Sequence, residues 1–122
     1  MPIRPRQTWL VLDETLRRLF AAENTRDWDA VAQLLHPKVT WILVGHRTSL
    51  IEGRDDYVAR LEAAYADRPT ACFEVVRWRD SGRGRVLCEL VDEEGAMSVE
   101  VFDVENCLVV REWEFLFGTP LL

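Results

Sequence analysis

Glu100 is the residue of this sequence best placed for proton chemistry. It lies in Ser98-Val99-Glu100-Val101-Phe102, a run whose β-branched and aromatic content suits a strand. A strand has period two, so Glu100 shares a face with Phe102. If that face lines a hollow, loss of water favours the protonated carboxyl and makes Glu100 an acid or hydrogen-bond donor. If Val99 and Val101 face inward instead, Glu100 is solvated. The last strand poses the same question. There Arg111, Trp113, Phe115 and Phe117 alternate with Glu112, Glu114 and Leu116. The simpler assignment buries the aromatic set and leaves both glutamates on the outer face. Trp41, Trp78 and Trp113 fall on separate strands and are candidate walls for a flat, apolar ligand, or else core residues. His46, beside Arg47, is a candidate general acid or base near neutral pH, or a surface histidine. His36 directly precedes Pro37 and suits a structural role at a helix end. Two histidines ten residues apart do not make a metal-binding pattern. The sequence shows no phosphate-binding glycine loop and no Ser or Cys nucleophile signature. No metal or cofactor is expected.

The elements that must carry these residues follow from periodicity. Trp9, Leu12, Leu16, Leu19 and Phe20 recur at three- and four-residue spacing and predict a first helix, with Thr8 as its cap. Residues 24–26 break it. Asp27 then caps a short second helix bearing Trp28, Val31, Leu34 and Leu35, which stops at His36-Pro37. Residues 39–44 read as a strand and 45–53 as a polar loop. Asp55 and Asp56 open a third helix with Tyr57, Val58, Leu61, Ala64 and Tyr65 inward, and Pro69 closes it. Residues 71–79, 85–91, 97–105 and 108–117 are strand-length runs. The links between them are too short for parallel crossovers, so antiparallel hairpins are expected. The order α-α-β-α-β-β-β-β predicts an α+β fold with helices on one face of a curved sheet.

Length and charge bound the answer further. The 122 residues fit one domain, with residues 1–7 as a loose N-terminal arm. A net charge of −6 without a basic block argues against nucleic acid as a partner. No segment has the roughly 20 apolar residues of a membrane span, and no secretory leader is visible. Cys72, Cys88 and Cys107 have no CxxC spacing and read as small hydrophobes with free thiols in a reducing cytoplasm.

Certain strings carry a resemblance. They are Phe20-Ala21-Ala22-Glu23-Asn24-Thr25-Arg26-Asp27-Trp28-Asp29-Ala30-Val31, Leu34-Leu35-His36-Pro37-Lys38-Val39-Thr40-Trp41, Glu52-Gly53-Arg54-Asp55 and Glu114-Phe115-Leu116-Phe117-Gly118. With the element order, they make the chain similar to the nuclear transport factor two-like superfamily, especially its SnoaL-like branch. The resemblance implies a cystatin-like cone whose bent sheet wraps a helix around a cavity. The superfamily includes ketosteroid isomerase, limonene epoxide hydrolase and polyketide cyclases beside proteins that only bind, so activity must be argued from the site. The isomerase needs a carboxylate base and a tyrosine–acid oxyanion hole. The resemblance puts that base near Ile42 and Trp41 and the tyrosine at Leu19; neither is present. Only the acid has a counterpart, Glu100. In epoxide hydrolase-like members an aspartate on the last strand acts, which falls here on Glu114 or Phe115. The matching arginine would be Arg111, paired with Glu100 or Glu89.

Two readings therefore stand. One is a cofactor-independent isomerase, cyclase or hydrolase acting on a small hydrophobic molecule, with Glu100 as acid and Trp41, Trp78, Arg111, Trp113 and Phe115 around the pocket. The other is a binding or dimerisation module of the same fold. Both include a homodimer through the outer sheet face, where Val99, Val101 and Leu116 otherwise leave apolar area in water.

Overall fold

A computed structural model describes residues 5–118, with side chains described from residue 11 onward. Helix α1 (Pro5–Asn24) presents Leu12, Leu16, Leu19 and Phe20 as one buried stripe, as their spacing requires. It begins ahead of Thr8, which lies within the helix, not at its cap. The side chain of Trp9 and residues 1–4 of the expected arm lie outside the described residues. Helix α2 (Trp28–Gln33) is capped by Asp27, whose carboxylate accepts from Ala30 N at 3.1 Å.

Two sequence expectations are corrected here. First, α2 stops before His36-Pro37, because β1 (Leu35–Val44) already begins at Leu35 and carries the proline. There the Lys38 N–H donates to His36 Nδ1, a local turn contact. Second, the expected polar loop contains a strand, β2 (Thr48–Glu52), paired antiparallel with β1 from Thr40↔Glu52 to Val44↔Thr48. It is an edge strand whose one large aliphatic with an outward aspect, Leu50, is 58% exposed, so its composition resembles a loop.

Helix α3 (Arg54–Tyr65) buries Tyr57 and Leu61. The remaining strands are β3 (Phe73–Gly82), β4 (Arg85–Asp92), β5 (Met97–Glu105) and β6 (Leu108–Gly118). One curved, unclosed six-stranded sheet results, in the order β2-β1-β6-β5-β4-β3. Only β1 and β6 run parallel; the other neighbours are antiparallel. The hairpins close tightly. Asn106 and Cys107 both take left-handed conformations between β5 and β6, as a two-residue primed turn requires. Gly84, in the β3–β4 turn, sits so close to Val104 that a Cβ would lie 2.6 Å from its carbonyl oxygen. Glycine is required there. Of the three free cysteines Cys88 is buried, whereas Cys72 and Cys107 are exposed.

The core lies between the concave sheet face and the helices. Leu16, Leu19, Val31, Val39, Val86, Phe102 and Val109 are almost wholly removed from water. Each such side chain contributes roughly 1.5–3 kcal/mol by transfer. Asn24 fixes the end of α1 to β3, donating from Nδ2 to Phe73 O at 2.9 Å and accepting from Phe73 N at 3.1 Å.

Three strand irregularities set which residues face the helices. Between the pairs Asp103↔Arg111 and Val104↔Val109, β5 advances one residue and β6 two. Val110 is thus an extra residue, a bulge that reverses the alternation of β6. Val109 points inward, and beyond the bulge so do Glu112 and Glu114, while Arg111, Trp113 and Phe115 point outward. An extra Val76 in β3 does the same, placing Phe73, Val75 and then Trp78 inward. Near the end of β6, Phe117 is extra between Leu116 and Gly118.

Candidate functional site

The concave face of the central strands carries a group of carboxyls. Glu100 on β5 pairs across the ladder with Glu114 on β6, and Phe102 with Glu112. Glu100, Glu112 and Glu114 each present an oxygen, and these oxygens lie within 4.8 Å of one another. Glu112 is 2% exposed and Glu100 9%. Helices supply the rest of the group. From α3, the Tyr57 hydroxyl donates to Glu112 Oε1, and the Tyr65 hydroxyl donates to Glu23 Oε1 of α1 at 2.9 Å. Two buried polar atoms among the described residues lack partners: Glu100 Oε2 and the indole nitrogen of Trp41. That indole nitrogen comes near Glu114 without reaching hydrogen-bond geometry.

Beside this group opens a cavity of about 300 Å³. Glu23, Tyr65, Glu100 and Glu114 form its polar depth, and Phe73, Leu90 and Leu116 are among its apolar walls. Arg68, Asp92 and Glu93 stand at the rim, where Arg68 donates to Glu93 at 2.8 Å.

Among the described residues no salt bridge reaches Glu100, Glu112 or Glu114, and burial governs their proton affinity. Burial, then the charge of Glu114, raises Glu100 well above the usual carboxylate range. Glu112 is raised for the same two reasons, against the opposing hydrogen bond from Tyr57. Burial lifts Glu114 to about 7, partly opposed by its contact with Glu100. Glu23 also reaches about 7 through burial, with the Tyr65 hydrogen bond opposing. The group thus raises Glu100 and Glu112 well above the usual carboxylate range and brings Glu23 and Glu114 to about 7, close to half-ionised at neutral pH. Such a separation within one cluster can supply both a proton donor and a proton acceptor. Three clustered carboxylates can also hold a divalent cation once their protons leave.

The structure distributes the sequence candidates unevenly. Glu100 and Glu114 meet at the cavity. Trp41 is buried in the core, its ring 4.7 Å from that of Tyr57, and does not line the cavity. Trp78 faces inward but packs on Phe20 at 5.7 Å beneath the Arg17 guanidinium, away from Glu100. Arg111, Trp113 and Phe115 are corrected to the outer face by the Val110 bulge. Arg111 reaches Asp103 there at 2.8 Å, and Arg85 stacks 4.9 Å over Trp113. Neither Glu100 nor Glu89 is its partner; Glu89 pairs with Arg77 at 3.2 Å. Leu116, expected on the outer face, lines the cavity mouth instead. His46 is exposed in the β1–β2 hairpin and does not line the cavity.

Sequence reading missed Glu112, Glu23 and both tyrosines. Strict alternation from the buried Val109 places Glu112 outside, and only the bulge reverses this. Glu23 had a weak signal, a carboxyl four residues after Leu19 on the inward stripe of α1.

Comparison with known proteins adds three findings. The sequence profile of the SnoaL-like domain matches residues 16–115. A search of curated protein sequences found no match. Similar solved structures include a Kribbella flavida protein proposed to be a ketosteroid isomerase, with TM-score 0.77 and 22% identity over 92% of this chain and 82% of that one. A SnoaL-like protein of unknown function from Burkholderia thailandensis has TM-score 0.77 and 18% identity over 96% and 100%. An LEH-like epoxide hydrolase from M. tuberculosis has TM-score 0.69 and 18% identity over 88% and 84%. These structural likenesses establish the cone fold.

Proposed function

We propose that this chain, which belongs to the SnoaL-like domain family, binds a small, largely apolar molecule in its cavity and moves a proton on it through Glu100 and Glu114. The observation that carries this reading is the buried Oε2 of Glu100, unpartnered and beside Glu114 at the cavity. A buried polar atom without a partner costs about 1–3 kcal/mol, which a bound oxygen or nitrogen of the ligand would relieve. In this reading Glu100, held in its acid form, donates a hydrogen bond to a ligand oxygen. Glu114, close to half-ionised at pH 7, takes up the proton that the ligand releases. Tyr57 positions Glu112, while burial and then the charge of Glu114 favour the protonated form of Glu100. This is isomerase, cyclase or hydrolase chemistry of the acid–base kind, carried by the chain's own side chains.

A second reading, binding without turnover, is favoured by Leu19 and Ile42. They occupy the positions where the resemblance places an isomerase tyrosine and base, and neither exchanges protons. In both readings the chain is a homodimer joined by its outer face, where Ile42, Val99, Val101, Trp113 and Phe115 form a partly exposed apolar stripe. The three free thiols suit a reducing cytoplasm, and no described helix is long and apolar enough to cross a membrane.

The test is a panel of small cyclic ketones and terpenoid epoxides, followed by NMR for deuterium exchange next to the carbonyl and for ring opening. Wild type is compared with Glu100→Gln and Glu114→Gln. Loss of a general acid or base lowers the rate about a hundredfold or more. Equal rates in all three proteins would remove these two residues from the chemistry. Binding without turnover of any member leaves the second reading.

A further inference from the structure

The cavity is lined by five carboxyls, Glu23, Asp92, Glu93, Glu100 and Glu114, against one guanidinium, Arg68. Arg68 is engaged at the rim, 2.8 Å from Glu93 and 3.7 Å from Asp92, so it does not offset the deeper acids. A second guanidinium, Arg26, lowers the proton affinity of Glu23 by its charge but makes its contacts elsewhere. Held at a left-handed φ of 61°, it donates to the carbonyls of Glu23, Asn24, Arg68 and Ala71 and lies 4.0 Å over the Tyr65 ring. Its positive charge is spent on the backbone. Among the described residues the lining of the hollow is therefore rich in acceptors, with its one guanidinium, Arg68, at the rim. One of those acceptors, Oε2 of Glu100, belongs to a residue only 9% exposed and has no partner. Tyr65 uses its hydroxyl on Glu23 Oε1, which leaves the second oxygen of Glu23 free to accept.

We infer that the molecule taken up carries a basic nitrogen beside its apolar body and enters as an ammonium held between Glu23 and Glu114. This inference rests on the cavity being a binding site, as proposed above, and adds the ligand's charge. An ammonium brings up to three donors to acceptors that otherwise repel one another, and charge-assisted contacts of this kind are about twice as strong as neutral ones. The apolar body lies against Phe73, Leu90 and Leu116. An anionic ligand meets the same carboxyls unfavourably. Binding also ties affinity to pH through the charged and titratable groups of the lining, Glu23 of α1, Tyr65 of α3, Glu100 of β5 and Glu114 of β6 with Arg68, Asp92 and Glu93 at the rim, and through those packed beside it, Arg26, Tyr57, Cys88 and Glu112. The two tyrosines and Cys88 remain neutral, because burial raises all three. Glu23 and Glu114, near 7, are the pair that ionises to receive the ammonium. Glu100 and Glu112 stay protonated, so the acid function proposed above survives.

The experiment is calorimetric titration of the full chain in phosphate buffer with two matched series. One is benzylamine, benzyl alcohol and phenylacetate; the other is cyclohexylmethylamine, cyclohexanemethanol and cyclohexylacetate. At pH 8 each amine is expected to bind about tenfold tighter than its alcohol, with no detectable binding of the acids. Between pH 8 and pH 6 the amines should weaken about tenfold as Glu23 and Glu114 take up protons, while the alcohols do not. Glu23→Gln and Glu114→Gln should erase the amine preference, and retained alcohol binding shows that these variants are folded. Alcohols binding as tightly as the amines at pH 8 would overturn the inference and leave the cavity as a neutral binding site. No binding by any amine or alcohol overturns the inference together with the proposed function. A parallel titration with manganese chloride serves as the remaining arm. Manganese binding tighter than every amine, and lost in both variants, would assign the carboxyls to a metal ion and overturn the inference.

Discussion

Strands β5 and β6 carry acidic residues on both faces, and the two faces treat them in opposite ways. On the convex side, Asp103 accepts from Arg85 at 2.7 Å and from Arg111 at 2.8 Å, and the hydrogen bond from Arg85 is the leading cause of its lowered pKa. On the concave side, Glu100, Glu112 and Glu114 have no such partner, and burial drives them upward. Asp103 and Glu100 are three positions apart on one strand. Charge is retained where a guanidinium is supplied and given up where only other carboxyls are near. The chain thus builds an ion pair on one side of a sheet and a set of acids on the other.

The largest expected separation between the faces is in the pH dependence of stability. The inner pair Glu23 and Glu114 has folded pKa values of about 7, above the unfolded carboxylate value. The folded state therefore holds more protons than the unfolded chain between about pH 4.5 and 7, and stability declines as pH rises through that window. Urea unfolding should show a loss on the order of 5 kcal/mol from this pair between pH 5 and pH 8. The double variant Glu23→Gln, Glu114→Gln should remove that share of the decline and leave the share of Glu100 and Glu112, which burial raises as well. A stability that climbs over the same interval contradicts the inner-face account. Asp103 has the reverse sign: its pKa is lowered, so its contribution is present above about pH 4 and fades only on further acidification.

Next in size is Tyr57→Phe. It leaves Glu112, 2% exposed, without its hydroxyl donor, at an expected cost of about 2 kcal/mol at pH 6. A change no larger than that of a surface substitution would mean that Glu112 finds another donor within the acid group. The smallest effect belongs to the outer face. Both guanidiniums around Asp103 are about half exposed, so Asp103→Asn should cost about 1 kcal/mol. It should leave the slope between pH 5 and 8 unchanged. A flattened slope in that variant would show that the two faces are coupled through the sheet.

Much of the architecture is legible in residue patterns. The leucine spacing of α1, the Asp27 cap and the short links among the last four strands each fix an element without help from the rest of the chain. What resists reading is phase. Val109, Arg111, Trp113 and Phe115 share parity, and strict alternation puts all four inside; one extra residue, Val110, splits them. The bulge has no composition of its own, since it depends on how β6 meets β5. Glu112 was hidden for that reason, although burying an acid also runs against the usual partition of polar groups. The edge strand β2 escaped because pairing with β1, not its own apolar content, makes it a strand. Glu100 could be placed on a face with Phe102 from alternation alone, since β5 keeps its phase from Glu100 to Val104.

The sheet order holds a lesson for synthesis. Strand β6, translated after the other five described strands, occupies the middle of the sheet between β1 and β5. A nascent chain that lacks it owns two half-sheets, each with an open hydrogen-bonding edge and nothing to join them. Leu43 and Glu114 become neighbours only when the final segment arrives, so the hollow cannot exist during translation. Pairings this distant along the chain are slow to close, and unpaired edges invite association with other chains in the meantime. Removing β6 would therefore unmake the centre of the sheet and leave its margins intact.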